Sequence, residues 1–243
     1  RTRMGLGSFK ALGAAYVIAC DEEDGVARGR TYVTASAGNH GLSVAAGAAA
    51  FGATAVVYLS QTVPDAFAVR LSNLGAKVVR HGATYEDSMA GAQAAATDNG
   101  WALLSDSSWA GYMDRPHRLM EGYLAMAAEC TEQMEKPTHI FLQAGVGGLA
   151  GACSALFRDV WGDDPKITVV EPEFAPAIYD SIQAGAFATS SGPVSDMGRL
   201  DCKEASLIAL KGLSRDADEI VLISEEEAFA VLPQLEANGL ASS

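Results

Sequence analysis

Apolar positions along the chain fall into short β-rich runs separated by stretches with helical spacing. Phe9, Leu12, Tyr16 and Ala19 recur at helical intervals after Ser8, a residue suited to a helix N-cap. They predict a helix that runs to the four acids at 21–24, which read as a solvated helix end. Residues 30–34 predict a strand, 35–38 a turn, and 40–51 a helix of small residues. Residues 55–59 and 77–80 read as strands, with a helix at 64–74 closed by Gly75. Residues 85–97 predict a helix, 102–105 a strand, and 118–134 a longer amphipathic helix.

The second half keeps the rhythm. Residues 139–143 read as a strand, 145–151 as a glycine loop, 152–160 as a helix, 167–171 as a strand and 177–184 as a helix. Residues 204–213 read as a further helix and 220–223 as a strand. Ser224 with Glu227 forms a capping box for a helix at 228–238. Alternation of this kind predicts an α/β chain of parallel sheets with helices on both faces. In such sheets ligands gather beyond the carboxyl ends of the strands, so the loops after Thr34, Leu59, Ser105 and Gln143 carry the most interest.

Composition narrows the classes. The 243 residues allow one large domain or two smaller ones. With 49% hydrophobic and 19% charged residues, a disordered or low-complexity chain is excluded. The 17 Lys and Arg against 30 Asp and Glu leave a net charge of −13, which disfavours nucleic acid and anionic membrane faces as partners. No charged residue occurs from 31 to 64, a length that could cross a bilayer. That stretch is built of Ala, Gly, Ser and Thr and carries Asn39 and His40, so it reads as a buried helix followed by a buried strand. Cys20, Cys130, Cys153 and Cys202 lie far apart and show no ligand spacing with the four His. Reduced thiols, a cytoplasmic location and no metal are the expectation.

Three constellations carry candidate chemistry. The first is Gln143-Ala-Gly-Val-Gly-Gly-Leu-Ala-Gly151, between a strand and a helix. Its glycines free backbone N–H groups to surround a phosphate at a helix N-terminus. Gly145, Gly147 and Ala150 also satisfy a dinucleotide pattern, with Glu171 ending the next strand where a ribose-binding acid would stand. This loop alone leaves nucleotide, cofactor phosphate and no ligand open. The second is Thr34-Ala-Ser-Ala-Gly-Asn-His-Gly41, where Asn39 reads either as a helix cap or as a hydrogen bonder to a ligand. His40 reads equally as a packed histidine. The third is Gly7-Ser-Phe-Lys10, a lysine at a helix start, where the dipole disfavours a cation. It is either an ordinary solvated lysine or one desolvated for covalent work.

Ser8-Phe9-Lys10, Ser36-Ala-Gly-Asn-His-Gly41 and the glycine loop, in that order, resemble the pyridoxal-phosphate enzymes of the tryptophan-synthase β fold, fold type II. Asp106-Ser-Ser-Trp-Ala-Gly-Tyr112, Met120-Glu-Gly-Tyr123, the run from Pro137 to Gly147 and Met197-Gly-Arg-Leu-Asp-Cys202 resemble the diaminopropionate ammonia-lyase family within it. The resemblance spans essentially the whole chain. It implies two parallel-sheet domains, with residues 1–28 and 116–243 as the larger, cofactor-binding domain and 29–115 as a smaller inserted one. It also implies that Lys10 carries pyridoxal 5'-phosphate covalently and returns as a proton-transfer group. Asn39 would hydrogen-bond the pyridine hydroxyl, and the loop of Ser36, Ala37, Gly38 and His40 would hold the substrate carboxylate. The N–H groups of Gly145, Val146, Gly147, Gly148 and Leu149 would cradle the phosphate. Asp106 matches the acidic position that serves proton transfer to the substrate. The implied reaction removes ammonia from 2,3-diaminopropionate or a related small amino acid, giving a 2-keto acid such as pyruvate. A homodimer is the family's usual form.

The chain departs from this pattern at Ala37, where the ammonia-lyases carry Asp. Ser36-Ala37 is closer to serine and threonine dehydratases. This keeps a hydroxy-amino-acid or hydroxyaspartate-type dehydratase, or a racemase, as the alternative. A nicotinamide oxidoreductase leaves Lys10 and Asn39 unexplained, and a non-catalytic homologue is the remaining reading. The resemblance also leads one to expect an earlier strand before the lysine and a Thr/Ser-Pro-Ser-Gly segment after Gly239-Leu-Ala. That segment would bring the pyridine-nitrogen partner beyond Ser243, so the chain is expected to be incomplete at both ends.

Overall fold

The computed structural model describes residues 5–240. The chain divides into two compact units, Arg1–Met126 and Ala127–Ser243. The first holds α1 (Lys10–Glu23), β1 (Thr31–Ala35), α2 (Asn39–Ala50), β2 (Thr54–Leu59), α3 (Asp65–Asn73), β3 (Lys77–Arg80), α4 (Tyr85–Asn99) and β4 (Ala102–Leu103). It ends in the first part of α5 (Asp114–Gln133). Its four strands pair in the order β3-β2-β1-β4, all parallel.

Strand periodicity sets the two faces of this sheet. Val33, Ala35 and Val56 pack with Ala92 of α4 on one side. Tyr32 and Thr34 alternate with them and turn to the other. There the Tyr32 hydroxyl donates to Asp21 Oδ2 of α1 at 2.7 Å. Asp21 therefore departs from the reading of the acidic run as a solvated helix end, which holds for the exposed Glu23 and Asp24. It is 6% exposed and takes Arg30 and Arg115 as further partners at 3.2 and 3.1 Å. Local sequence showed only a run of acids, because the groups that bury Asp21 arrive from β1 and α5. Helices α1 and α5 approach closely through small residues. A Cβ on Gly122 would stand 2.5 Å from the Leu12 carbonyl oxygen, and one on Gly13 2.6 Å from Tyr123 Cε1.

Most boundaries fall within a few residues of those the pattern predicts, and the exceptions have local causes. Helix α5 begins four residues early, at Asp114, because Pro116 is tolerated in a first turn, where its missing N–H would be unpaired anyway. Strand β4 is short, yet the Leu104 N–H still donates to Val33 O at 2.9 Å.

The second unit holds β5 (His139–Gln143), α6 (Gly148–Trp161), β6 (Lys166–Pro172), α7 (Ala177–Ala184), α8 (Leu207–Asp216), β7 (Glu219–Ile223) and α9 (Glu225–Ala237). Its strands pair in parallel in the order β5-β6-β7. The capping box forms as expected: the Glu227 N–H donates to Ser224 Oγ at 3.2 Å and the Ser224 N–H to Glu227 Oε2 at 2.8 Å. Helix α6 starts at Gly148, inside the stretch read as loop. Among the described residues no helix is long and apolar enough to cross a membrane. Ser242 and Ser243, where the resemblance departs at the C-terminus, lie outside the described residues.

Candidate active site

In the first unit the chain delivers Lys10 at the first turn of α1 and Asp106 just beyond the carboxyl end of β4. They meet at 2.5 Å between Nζ and Oδ2. Both side chains are about four-fifths buried, at 22% and 19% exposure, so the pair is only weakly screened. Burial opposes ionisation of Asp106, but the Lys10 ammonium outweighs it and holds the carboxyl well below the usual range. Asp106 is thus a carboxylate at neutral pH. Its partner is the lysine.

The Met120-Glu-Gly-Tyr123 run explains how α5 serves this pair. Gly122 lets α5 close on α1, and Tyr123 packs edge-on against Phe9 with ring centroids 5.1 Å apart. Tyr123 is buried beside Lys10; burial pushes its hydroxyl pKa up while the ammonium opposes the shift.

The loop from Ser36 to Gly41 joins β1 to α2. Gly38, not Asn39, occupies the N-cap position, and no side chain caps this helix. Asn39 is the first helical residue, half-buried, and its amide makes no hydrogen bond among the described residues. The capping reading fails. Ser36 Oγ accepts from the Gly38 N–H at 3.3 Å, and Ala37 and Gly38 are half-buried beside it. The turn is tight: a Cβ on Gly41 would stand 2.1 Å from the Ser36 carbonyl oxygen. His40 is 4% exposed, with Nε2 2.8 Å from the Leu104 carbonyl. Burial pushes its pKa down, so it is a neutral imidazole with Nε2–H as the donor. His40 thus ties the start of α2 to the peptide two residues before Asp106.

In the second unit the glycine loop follows β5. Ala144 continues the pairing, its N–H donating to Val170 O at 2.9 Å. Gly147 then adopts φ +90° as the N-cap of α6, a conformation L side chains rarely take. Among the described residues, no hydrogen bond engages the N–H groups of Gly145, Val146, Gly147, Gly148 or Leu149. The Val146 carbonyl accepts from the Ser206 N–H at 2.9 Å, which fixes the loop to the start of α8. The run from Met197 to Cys202 rests on it as well, since a Cβ on Gly145 would meet Cys202 Sγ at 3.0 Å. Five adjacent unpaired donors at a helix N-terminus suit a phosphate dianion.

Glu171 removes the dinucleotide reading. It is fully buried, and both carboxylate oxygens accept from the first turn of α7, from the Ile178 N–H at 2.9 Å and the Tyr179 N–H at 2.8 Å. Burial, only partly offset by these bonds, pushes its pKa up to about 7. A ribose would find no free acid here.

Residues 2–241 match the family described as pyridoxal-phosphate dependent enzymes. The diaminopropionate ammonia-lyase of Escherichia coli is 31% identical over 93% of this chain, which spans 62% of that protein's length. The Salmonella typhimurium enzyme is 33% identical over 85% of the chain and 58% of its own length. A crystal structure of the Escherichia coli enzyme, in complex with an aminoacrylate–pyridoxal-phosphate azomethine reaction intermediate, superimposes with a TM-score of 0.85 at 31% identity, covering 95% of this chain and 62% of that one. The chain therefore spans about three-fifths of the length of these relatives. Its residues fit the family's cofactor: a desolvated lysine, an unpaired amide on Asn39, and a cradle of unpaired N–H groups where a side chain on Gly147 would be strained.

Proposed function

The chain belongs to the family of pyridoxal-phosphate dependent enzymes, and on that premise we propose that it acts as an ammonia-lyase on 2,3-diaminopropionate or a related small β-substituted amino acid. Pyridoxal phosphate supplies an electron sink for the pair released at the substrate Cα. Lys10 holds that cofactor covalently and afterwards serves proton transfer. Asn39 donates its amide to the pyridine hydroxyl, and the N–H groups of Gly145, Val146, Gly147, Gly148 and Leu149 hold the phosphate. Ser36, Ala37, Gly38 and His40 form the loop that binds the substrate carboxylate. Asp106 serves proton transfer to the substrate. The β-amine, protonated before it departs, leaves with the C–N electron pair as ammonia, and hydrolysis of the released enamine gives pyruvate and further ammonia.

The observation that carries this reading is the 2.5 Å pair of Lys10 and Asp106, which joins a covalent anchor to an acid–base group. Residues 29–115 as the smaller domain, and 1–28 with 116–243 as the larger, belong to the same proposal. In its favour, β1–β4 fall wholly inside the first range and β5–β7 inside the second. A homodimer and a cytoplasmic location complete it.

Asp106→Asn tests the reaction. Turnover of L-diaminopropionate should fall by about 10²-fold, the ordinary weight of a general acid–base group, with cofactor attachment retained. Unchanged turnover would remove Asp106 from the chemistry. Ala37 favours a second reading, a serine or threonine dehydratase or a racemase. Efficient turnover of serine or threonine, with none of diaminopropionate, would decide for it.

A further inference from the structure

Strand β4 lies at the edge of its sheet, so the peptides that lead from it to Asp106 have no neighbouring strand on their outer side. The inward-facing peptide is held by the protein core: the Leu104 N–H donates to Val33 O at 2.9 Å, and the Leu104 carbonyl accepts from His40 Nε2 at 2.8 Å. Leu103 and Ser105 face outward. There one side chain does the work of a missing strand. The Tyr112 hydroxyl donates to the Leu103 carbonyl at 2.9 Å and accepts from the Ser105 N–H at 3.1 Å. Buried or half-buried peptide groups left unpaired cost on the order of 1–3 kcal/mol, so this double bond selects one path for the chain.

Tyr112 is itself held rigidly. Its N–H donates to Trp109 O at 2.9 Å and the Trp109 N–H to its carbonyl at 3.2 Å, closing a turn that stacks the two rings at 4.4 Å. Burial pushes its hydroxyl pKa up to about 12, so at neutral pH it remains both donor and acceptor.

We propose that Tyr112 is a positioning residue for Asp106: by clamping the Leu103 and Ser105 peptides it sets where the carboxylate is delivered to the substrate. This rests on the role of Asp106 proposed above. The bonds of its hydroxyl go to the last residues before Asp106, and its effect passes through them.

Tyr112→Phe keeps the stacked ring and removes only the hydroxyl. On L-diaminopropionate, kcat should fall by about 10-fold with KM within about twofold. In an Asp106→Asn background the same substitution should leave kcat unchanged. Without substrate, hydrogen exchange at the Ser105 amide should accelerate by about 10-fold or more, while the Leu104 amide, bonded to Val33, stays protected. An unchanged kcat, or an equal loss in the Asp106→Asn background, would overturn the proposal. So would acceleration of Leu104 together with Ser105, which marks general loosening. If diaminopropionate is not turned over at all, the proposed reaction fails, and the exchange readout decides the clamp alone.

Discussion

The Tyr32 hydroxyl on β1 and the Asp21 carboxylate on α1 meet at 2.7 Å inside the first unit, and Arg30 and Arg115 close on the same oxygen. One buried acid thus joins a helix, a strand and a second helix. Burial, together with the bond to Asp21, pushes the Tyr32 pKa up, so the phenol stays a donor at every working pH.

Asp21→Ala should therefore destabilise the protein by about 3 kcal/mol, the usual cost of removing one partner from a buried ion pair. Tyr32→Phe removes a single hydrogen bond to a charged group and should cost about 1.5–3 kcal/mol. Denaturant midpoints of the two variants check the order, and equal losses near zero would show the cluster to be a surface one.

Lys10→Ala should abolish borohydride-stable attachment of pyridoxal phosphate and all turnover. It also leaves Asp106 without its cation. Because the pair keeps about a fifth of its exposure, the stability loss should be near 2 kcal/mol, below that of a fully buried pair. Retained attachment and activity would assign the lysine elsewhere.

Gly147→Val forces a branched residue to φ +90° and brings its Cβ to 3.0 Å from Ile178 Cδ1 and 3.1 Å from Ala209 Cβ. The turn must shift, and the N–H groups beside it lose their aim. Each charge-assisted bond to the phosphate is worth roughly 1.5–3 kcal/mol, so the Kd for pyridoxal phosphate in equilibrium dialysis should rise at least about tenfold. An unchanged Kd would move the phosphate to another part of the chain.

Glu171 makes stability depend on pH in an unusual direction for a carboxyl group. Its pKa rises on folding from about 4.3 in the open chain to about 7, so the folded state binds the extra proton between those values. The contribution of Glu171 is full below about pH 4 and is lost as pH climbs through 7. The swing is on the order of 3 kcal/mol. Urea unfolding from pH 5 to pH 8 should reveal this decline, and Glu171→Gln should flatten it. A parallel decline in the variant would assign it to other groups.

What the sequence determined by itself was local. The order of strands and helices, the Ser224–Glu227 capping box and the glycine turn at 145–147 depend on residues within one helical turn of each other or on strand alternation. Such signals survive in any context. Lys10, Asn39 and the glycine loop could be singled out for the same reason, each by its position at a helix start, and the order of the motifs added the family resemblance. The tertiary structure decided everything that depends on which distant groups arrive. Asp21 looked solvated until Tyr32, Arg30 and Arg115 enclosed it. Glu171 looked like a ribose ligand until α7 turned its first N–H groups onto it. Asp106 acquires its ionisation state from a lysine 96 residues away, and the path that leads to it is held by His40 and Tyr112. Charge and hydrogen-bond energies fall off within a few ångströms, so the chemistry of a buried side chain is set by its neighbours in space.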